Sequence, residues 1–283
     1  MNVLSREEQV QVLHMLVEGS SLRSVVRLTG IHRTTIMKLM LKAGDALKAF
    51  LNAKMVNLEL THLECDEIWT FVRKKQARLK DAERDSTTIG DMYLYIALDQ
   101  RTKLIPSYTI GKRNREKTEE FMLDLATRIV VPSIVHPTNR PKISTDGWAA
   151  YPGAVDLAFA STVRHGILIK DYQESAQPGR YGPPVLMGET RKTLSAGLNL
   201  NEICTSHVER HNLSIRTFMR RFTRLALGFS KKLDNLSAAT ALYVAHYNFC
   251  RRHETLRMPP AMVAKIAGHP WTMEELLTEA GVI

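Results

Sequence analysis

Cysteine is scarce in this chain: Cys65, Cys204 and Cys250 are the only three in 283 residues. An odd, scattered set without Cys-x-x-Cys spacing excludes a disulfide framework and a cysteine-type zinc site, and points to a reducing, intracellular setting. Long apolar runs are also missing. No stretch approaches the ~18–20 residues that a membrane-spanning helix needs, so no membrane-spanning segment is expected. The opening M-N-V-L-S-R-E-E-Q is too polar for a secretory signal. Internal repeats and low-complexity tracts are absent. Acidic residues are the minority charge, with 29 Asp and Glu against 39 Lys and Arg, a formal net charge of +10. The sequence pI is about 9.6. That excess makes nucleic acid the first partner to consider and an anionic membrane surface the second. What is present is a chain 44% hydrophobic, enough for one sizeable core and one or two small modules. A soluble protein of the cytoplasm or nucleoid is expected.

The most strongly basic stretch is His207 to Gly228, H-V-E-R-H-N-L-S-I-R-T-F-M-R-R-F-T-R-L-A-L-G. Leu213, Phe218, Phe222, Leu225 and Phe229 recur near helical spacing and predict one long helix with a core-facing side. Its one acid, Glu209, precedes Arg210, Arg216, Arg220, Arg221 and Arg224, then Lys231 and Lys232. Such a carboxylate can help to hold a hard metal ion, and the cations can grip phosphates. The plainer reading is a capping box, Ser206-His-Val-Glu209, with the arginines forming a solvated face. His207 is either an orienting group or a helix-start surface residue.

Residues 1–50 read as three helices. Ser5-Arg-Glu-Glu8 opens the first and Gly19 ends it; Ser21 opens the second; the turn Thr29-Gly30-Ile31-His32 leads into the third, Arg33 to Ala43. Two short helices about a glycine turn have the shape of a helix-turn-helix, whose second helix would offer Arg33, Thr34, Thr35 and Lys38 to base edges. A plain three-helix bundle with a basic surface is the alternative.

Residues 51–60 form a connector, and the pattern then changes to strands. T-H-L-E-C-D-E-I-W-T-F-V (61–72) alternates. Glu64, Asp66, Ile68, Thr70 and Val72 share one face; Leu63, Cys65, Glu67, Trp69 and Phe71 share the other, so Asp66 and Glu67 point apart and one of them can join a given site. A polar loop (73–90), a strand (93–99) and its hairpin partner (104–110, kept to an edge or bulge by Pro106) follow. Asn114 caps a helix over Lys117–Val130. After a loop from Pro132 to Pro141, I-S-T-D-G-W (143–148) reads as a buried strand ending on Asp146-Gly147, a carboxylate at a sheet edge or simply a turn residue. A helix (151–160) and a strand (160–164) lead to an insertion at about 166–200, in which Q-P-G-R-Y-G-P-P-V (177–185) is loop-like. Leu233–Arg251 is a further amphipathic helix, Pro259-Pro260 starts a short one and Thr272 caps the last. Trp69, Trp148, Tyr243 and Tyr247 are assigned to the core. Three acids on two strands and a helix can converge at one end of a mixed sheet, where carboxylates hold paired divalent ions for displacement at phosphorus.

The blocks E-C-D-E-I-W-T-F-V, I-S-T-D-G-W-A-A-Y, H-V-E-R-H-N-L-S-I-R, R-R-F-T-R, F-S-K-K-L-D-N and Y-N-F-C-R-R-H-E-T-L occur in order over residues 60–265. In these the chain resembles the transposases of the insertion-sequence-one family, bacterial DDE enzymes. The resemblance implies an α/β fold: an RNase H-like mixed sheet flanked by helices (61–258), preceded by an all-α helix-turn-helix module (1–50) and followed by a helical tail (259–283). It implies Asp66, Asp146 and Glu209 as a catalytic triad holding Mg²⁺, with Mn²⁺ able to substitute. Glu64 and Glu67 are then acids outside the triad. The implied activity is cleavage of double-stranded DNA at the element's terminal inverted repeats and transfer of the freed 3′-OH into target DNA, by a homo-oligomer of at least two copies. The cysteine-bearing zinc segment that commonly precedes the helix-turn-helix in that family is missing. A non-catalytic DNA-binding regulator, or an RNase H-like nuclease that cuts without joining, would carry the same residues.

Overall fold

Each of the first three helices starts at a side-chain cap. Ser5 caps α1 (Arg6–Val17) in a reciprocal box with Glu8; Ser21 caps α2 (Leu22–Thr29) through the Ser24 amide; His32 caps α3 (Arg33–Lys54) through the Thr34 amide. Gly30 ends α2 at φ +72°, a left-handed conformation that favours glycine. The computed structural model describes residues 4–131, 136, 139–173, 185–195, 197–224 and 226–283. Leu225, most of the loop-like 177–185 and part of the expected 132–141 loop lie outside the described residues. α3 is longer than the expected Arg33–Ala43. It runs unbroken past residue 50 and absorbs part of the 51–60 connector.

The strands are β1 (His62–Val72), β2 (Gly90–Asp99), β3 (Tyr108–Gly111), β4 (Lys142–Thr145), β5 (Arg164–Gln173) and β6 (Val185–Thr193). They form one mixed sheet in the order β3-β2-β1-β4-β5-β6. β2 is antiparallel to β1 and to β3, β4 is parallel to β1 and to β5, and β6 returns antiparallel to β5. β3 is an edge strand and is shorter than the expected 104–110, starting at Tyr108, after Pro106. Two expectations are corrected here. Residues 160–162 form a 3-10 turn rather than a strand, with Ala160 at φ +47°, and the strand begins at Arg164, where pairing with Lys142 becomes available. The segment expected as an insertion from about residue 166 instead contributes β5 and β6, a hairpin that widens the sheet.

Helices cover both faces. α4 (Arg115–Arg128), capped by Asn114, and α5 (Tyr151–Phe159) lie on the face of Glu67 and Tyr95, where Tyr95 meets Phe121. α6 (Ser206–Phe218) lies on the face of Glu64 and Asp66, with the chain beyond it reached by the Thr70 hydroxyl. α6 ends at Phe218, ten residues short of the expected Gly228. Met219 is extended (φ −115°, ψ 99°), and the chain folds back so that the Arg216 guanidinium donates to the Phe222 carbonyl and Thr223 to the Arg216 carbonyl. The expected apolar face is corrected too. Leu213 is exposed, and Val208, His211 and Ile215 face the core.

α7 (Leu233–Phe249) is buried on every side from Thr240 to Phe249, not amphipathic. α8 (Pro260–Val263) and α9 (Met273–Glu279) follow, and α9 turns back to the first helix, where Arg6 pairs with Glu274 and bonds Thr278. Tyr243 and Tyr247 are buried as expected, whereas Trp69 and Trp148 are partly exposed at the sheet's edge of the core. One continuous apolar core runs from Val12 through the sheet to Val282, so the N-terminal helices share it. Among the described residues no helix is long and apolar enough to cross a membrane.

The tightest helix contact in this core is α3 on α7, at Gly44. A Cβ there would run into the Cα and Cβ of Ala238. Gly44→Ala is expected to lower stability by about 1–3 kcal/mol through overpacking, despite the ~1 kcal/mol that alanine gains in a free helix. Denaturant unfolding checks this; an unchanged or raised midpoint would show that α3 and α7 can separate at no cost.

Candidate active site

β4 is short and β1 is long, and that mismatch makes the site. The two pair in parallel only as far as Cys65 and Thr145. The next residues are Asp66 and Asp146, so two carboxylates emerge side by side where β4 stops and β1 continues with that edge open. Asp146 also serves the turn, since its Oδ1 accepts from the Trp148 amide at 2.9 Å. Asp66 accepts from the Glu67 amide at 2.8 Å and from Asn212 Nδ2, on α6, at 2.6 Å.

Glu67 joins this pair, contrary to the expectation that only one of Asp66 and Glu67 could. One oxygen each from Asp66, Glu67 and Asp146 lie within 4.8 Å of one another. The two side chains leave opposite faces of β1, but with β4 ended, both faces open onto Asp146. Arg113, just before α4, bridges them: it reaches Glu67 Oε2 at 3.1 Å and Asp146 Oδ2 at 3.3 Å while lying over the Trp148 ring at 4.3 Å.

Glu209 is outside that close set. Lys170 of β5 donates to both of its oxygens at 2.6 Å, and the Thr205 hydroxyl to one of them at 2.6 Å. It still adds to the negative potential at Asp66 and Asp146. The capping-box reading of Glu209 is not what forms: Thr205 occupies the cap position of α6 without a side-chain cap bond. The cap comes from the sheet. Glu64, 2% exposed, accepts from the His207 and Val208 amides at 2.9 and 3.0 Å and meets His207 Nδ1 at 2.7 Å. His207 therefore orients Glu64 and the helix start rather than the acids of the cluster.

Burial and mutual repulsion act together on the acids. Burial, then Asp146 and Glu67, push Asp66 up to about 8. Burial, then Asp146, push Glu67 up to about 7. Burial raises Asp146 as well. Glu67 Oε1, beside the Tyr151 hydroxyl, and Asn212 Oδ1 are both buried without a well-formed hydrogen bond. A set of all-oxygen donors, strained by like charge and holding orphaned acceptors, fits a hard divalent cation such as Mg²⁺.

The cations expected to bind DNA separate into two groups. Arg33, Thr34, Lys38, Arg210, Arg220, Arg224, Lys231 and Lys232 are exposed, and Thr35 is partly so. Arg216 closes the turn after α6. Arg221 is turned inward against Met40 Sδ at 3.3 Å, its Nε buried without a partner, and burial lowers its pKa to about 10. It is a packing residue, not part of an open basic face. A cleft of about 740 Å³ beside α6 is lined by Lys103, Arg210, Arg251 and Arg252. None of these four is in ion-pair contact with a carboxylate among the described residues.

Sequence reasoning missed Arg113, Lys170, Asn212 and these three further cleft cations. Asn212 was within reach, three residues after Glu209 and so on the same side of a helix. Lys170 lay in the segment expected as an insertion, and Arg113 in a turn with no periodicity. No family model matches the chain, and no curated protein matches it at a significant level.

The raised acids carry a pH signature. Asp66 moves from an ordinary 3.8 to about 8, so its protonated form is favoured in the fold. The stability this confers is complete below pH 3.8 and is lost as pH rises through about 8. Without divalent ions, the melting temperature is expected to fall between about pH 5 and about pH 9, and to fall less in Asp66→Asn. Equal slopes in the two proteins would remove Asp66 as the group responsible.

Proposed function

We propose that the protein is a DDE-type DNA transposase with an RNase H-like catalytic core, which cuts at the ends of an insertion element and joins them to target DNA. The observation that carries this reading is the adjacency of Asp66 and Asp146 on neighbouring parallel strands, with the helix bearing Glu209 anchored over the same opening. These are the three acids that the resemblance implies.

Asp66 and Asp146 would hold Mg²⁺ or Mn²⁺, joined by Glu209 once Lys170 releases it. The ion supplies a water of lowered pKa and neutralises charge on the phosphate. The protein's own part is positioning. Asn212 fixes the Asp66 carboxylate, Glu64 fixes the helix that carries Asn212 and Glu209, and Arg113 keeps Glu67 and Asp146 from separating. Lys170, freed from Glu209, would take a phosphate oxygen. Duplex DNA would be read by Arg33, Thr34, Thr35 and Lys38 at the start of α3, and its backbone gripped by the unpaired cations beside α6. A homo-oligomer acting on paired ends belongs to the same reading.

One observation favours a second reading. Glu209 and Asp146 already carry the protein's own cations, Lys170 and Arg113. A DNA-binding regulator with an internally neutralised cluster would look the same.

The deciding experiment incubates the protein with DNA carrying the ends that flank its gene, with Mg²⁺ or Mn²⁺, beside Asp146→Asn. Metal-dependent 3′-end nicks and joined products, abolished in the variant, are expected. Nicks without joining would make it a nuclease, and binding without cleavage a regulator. In the same system Arg252→Ala is expected to weaken DNA binding and make its salt dependence shallower by about one unit of slope. An unchanged slope would take the cleft out of the DNA path.

A further inference from the structure

α7 carries a largely buried imidazole, His246, whose ring faces that of His14 on α1. His246 is 5% exposed, within the run of buried residues Ala241 to Phe249. Its ring makes no hydrogen bond to a described residue. Two other buried polar side chains of the helix find partners, whereas the Tyr243 hydroxyl does not. Thr240 donates to the Leu236 carbonyl, and Asn248 pairs in both directions with the Ile105 backbone.

What faces His246 is a second imidazole and a carboxylate. His14 and Glu18 are four residues apart on α1 and therefore share a side of that helix. One ligand atom from each of His14, Glu18 and His246 lie within 4.8 Å of one another. The two rings are 5.6 Å apart, centre to centre. His14 and Glu18 are exposed, and neither side chain has a hydrogen bond or ion pair with a described residue. Three donors from two helices converge with no internal partner among them.

The donor types choose the ion. Two imidazole nitrogens and one carboxylate oxygen suit Zn²⁺, which accepts such a set and leaves a fourth position for water; Mg²⁺ prefers oxygen alone. We infer that His14, Glu18 and His246 form a zinc-type site that fastens α1 to α7. It is separate from the carboxylate cluster in residues and in metal class, and does not rest on the proposed function. When filled, it would tie the first of the N-terminal helices to the buried centre of the fold.

The test titrates the full chain with Co²⁺, read by its visible ligand-field bands, then displaces it with Zn²⁺. His14→Ala and Glu18→Gln are surface changes; Asp66→Asn and Cys204→Ser report on the two other groups of metal-ligating side chains among the described residues, Asp66 with Glu67 and Asp146, and Cys204 with Glu64 and His207. One tight equivalent is expected in the wild type, Asp66→Asn and Cys204→Ser. His14→Ala is expected to weaken binding by more than the ~10–100-fold that loss of a supporting hydrogen bond costs. Zn²⁺ should raise the melting temperature of the wild type and not of His14→Ala. No tight Co²⁺ binding, or binding kept in His14→Ala and lost in Cys204→Ser or Asp66→Asn, would overturn the inference.

Discussion

Glu64 is the side chain on which the geometry of the acidic site depends. It stands two residues before Asp66 on the same face of β1 and accepts the first free amides of α6. Hydrogen bonds to a charged group contribute about 1.5–3 kcal/mol each, and a carboxylate at a helix N-terminus gains further from the helix dipole. Strand and helix are thereby joined at one point, one turn before the residues that matter. From that anchor the helical repeat delivers Glu209 toward β5 and Asn212 onto Asp66.

The cluster that results is electrostatically unfavourable by itself. Asp66, Glu67 and Asp146 share a partly buried opening; Asp146 raises the cost of ionising Asp66 and Glu67, and Glu67 that of Asp66. The chain meets this with Arg113 across two of the acids and Lys170 on Glu209. A bound divalent ion would relieve the same repulsion more completely, because it can touch several oxygens at once. Competition between internal cations and an external one is thus built into the site, and it links metal, proton and substrate in one balance.

Much of the fold was legible in the sequence because it is written in local signals. Ser5, Ser21, Asn114 and Thr272 start helices where cap chemistry predicts them, and the alternation through 61–72 assigns β1's faces correctly. The misreadings share a cause. Apolar spacing predicts a helix from His207 to Gly228, but Phe222 reaches the core after the chain has turned back on Arg216. Strand β5 was misplaced because its start is set by pairing with β4, not by its own composition. α3 carried no stop signal near residue 43, and packing of Gly44 on Ala238 keeps it going.

Asp66, Asp146 and Glu209 are the acids that the resemblance over ordered blocks implies, and the register of β1 on β4 brings the first two together. Composition alone determined the basic character of the chain, its freedom from a disulfide frame and its local caps, because these follow from residue type and near neighbours. Tertiary structure alone decided that Glu67 joins the acids, that Arg221 is packed away while Arg252 is open, and that Lys170 holds Glu209. Those outcomes depend on where one strand stops beside another and which side of a helix meets a sheet. Such contacts join residues 39 to 181 positions apart, a distance at which no periodicity in the sequence carries information.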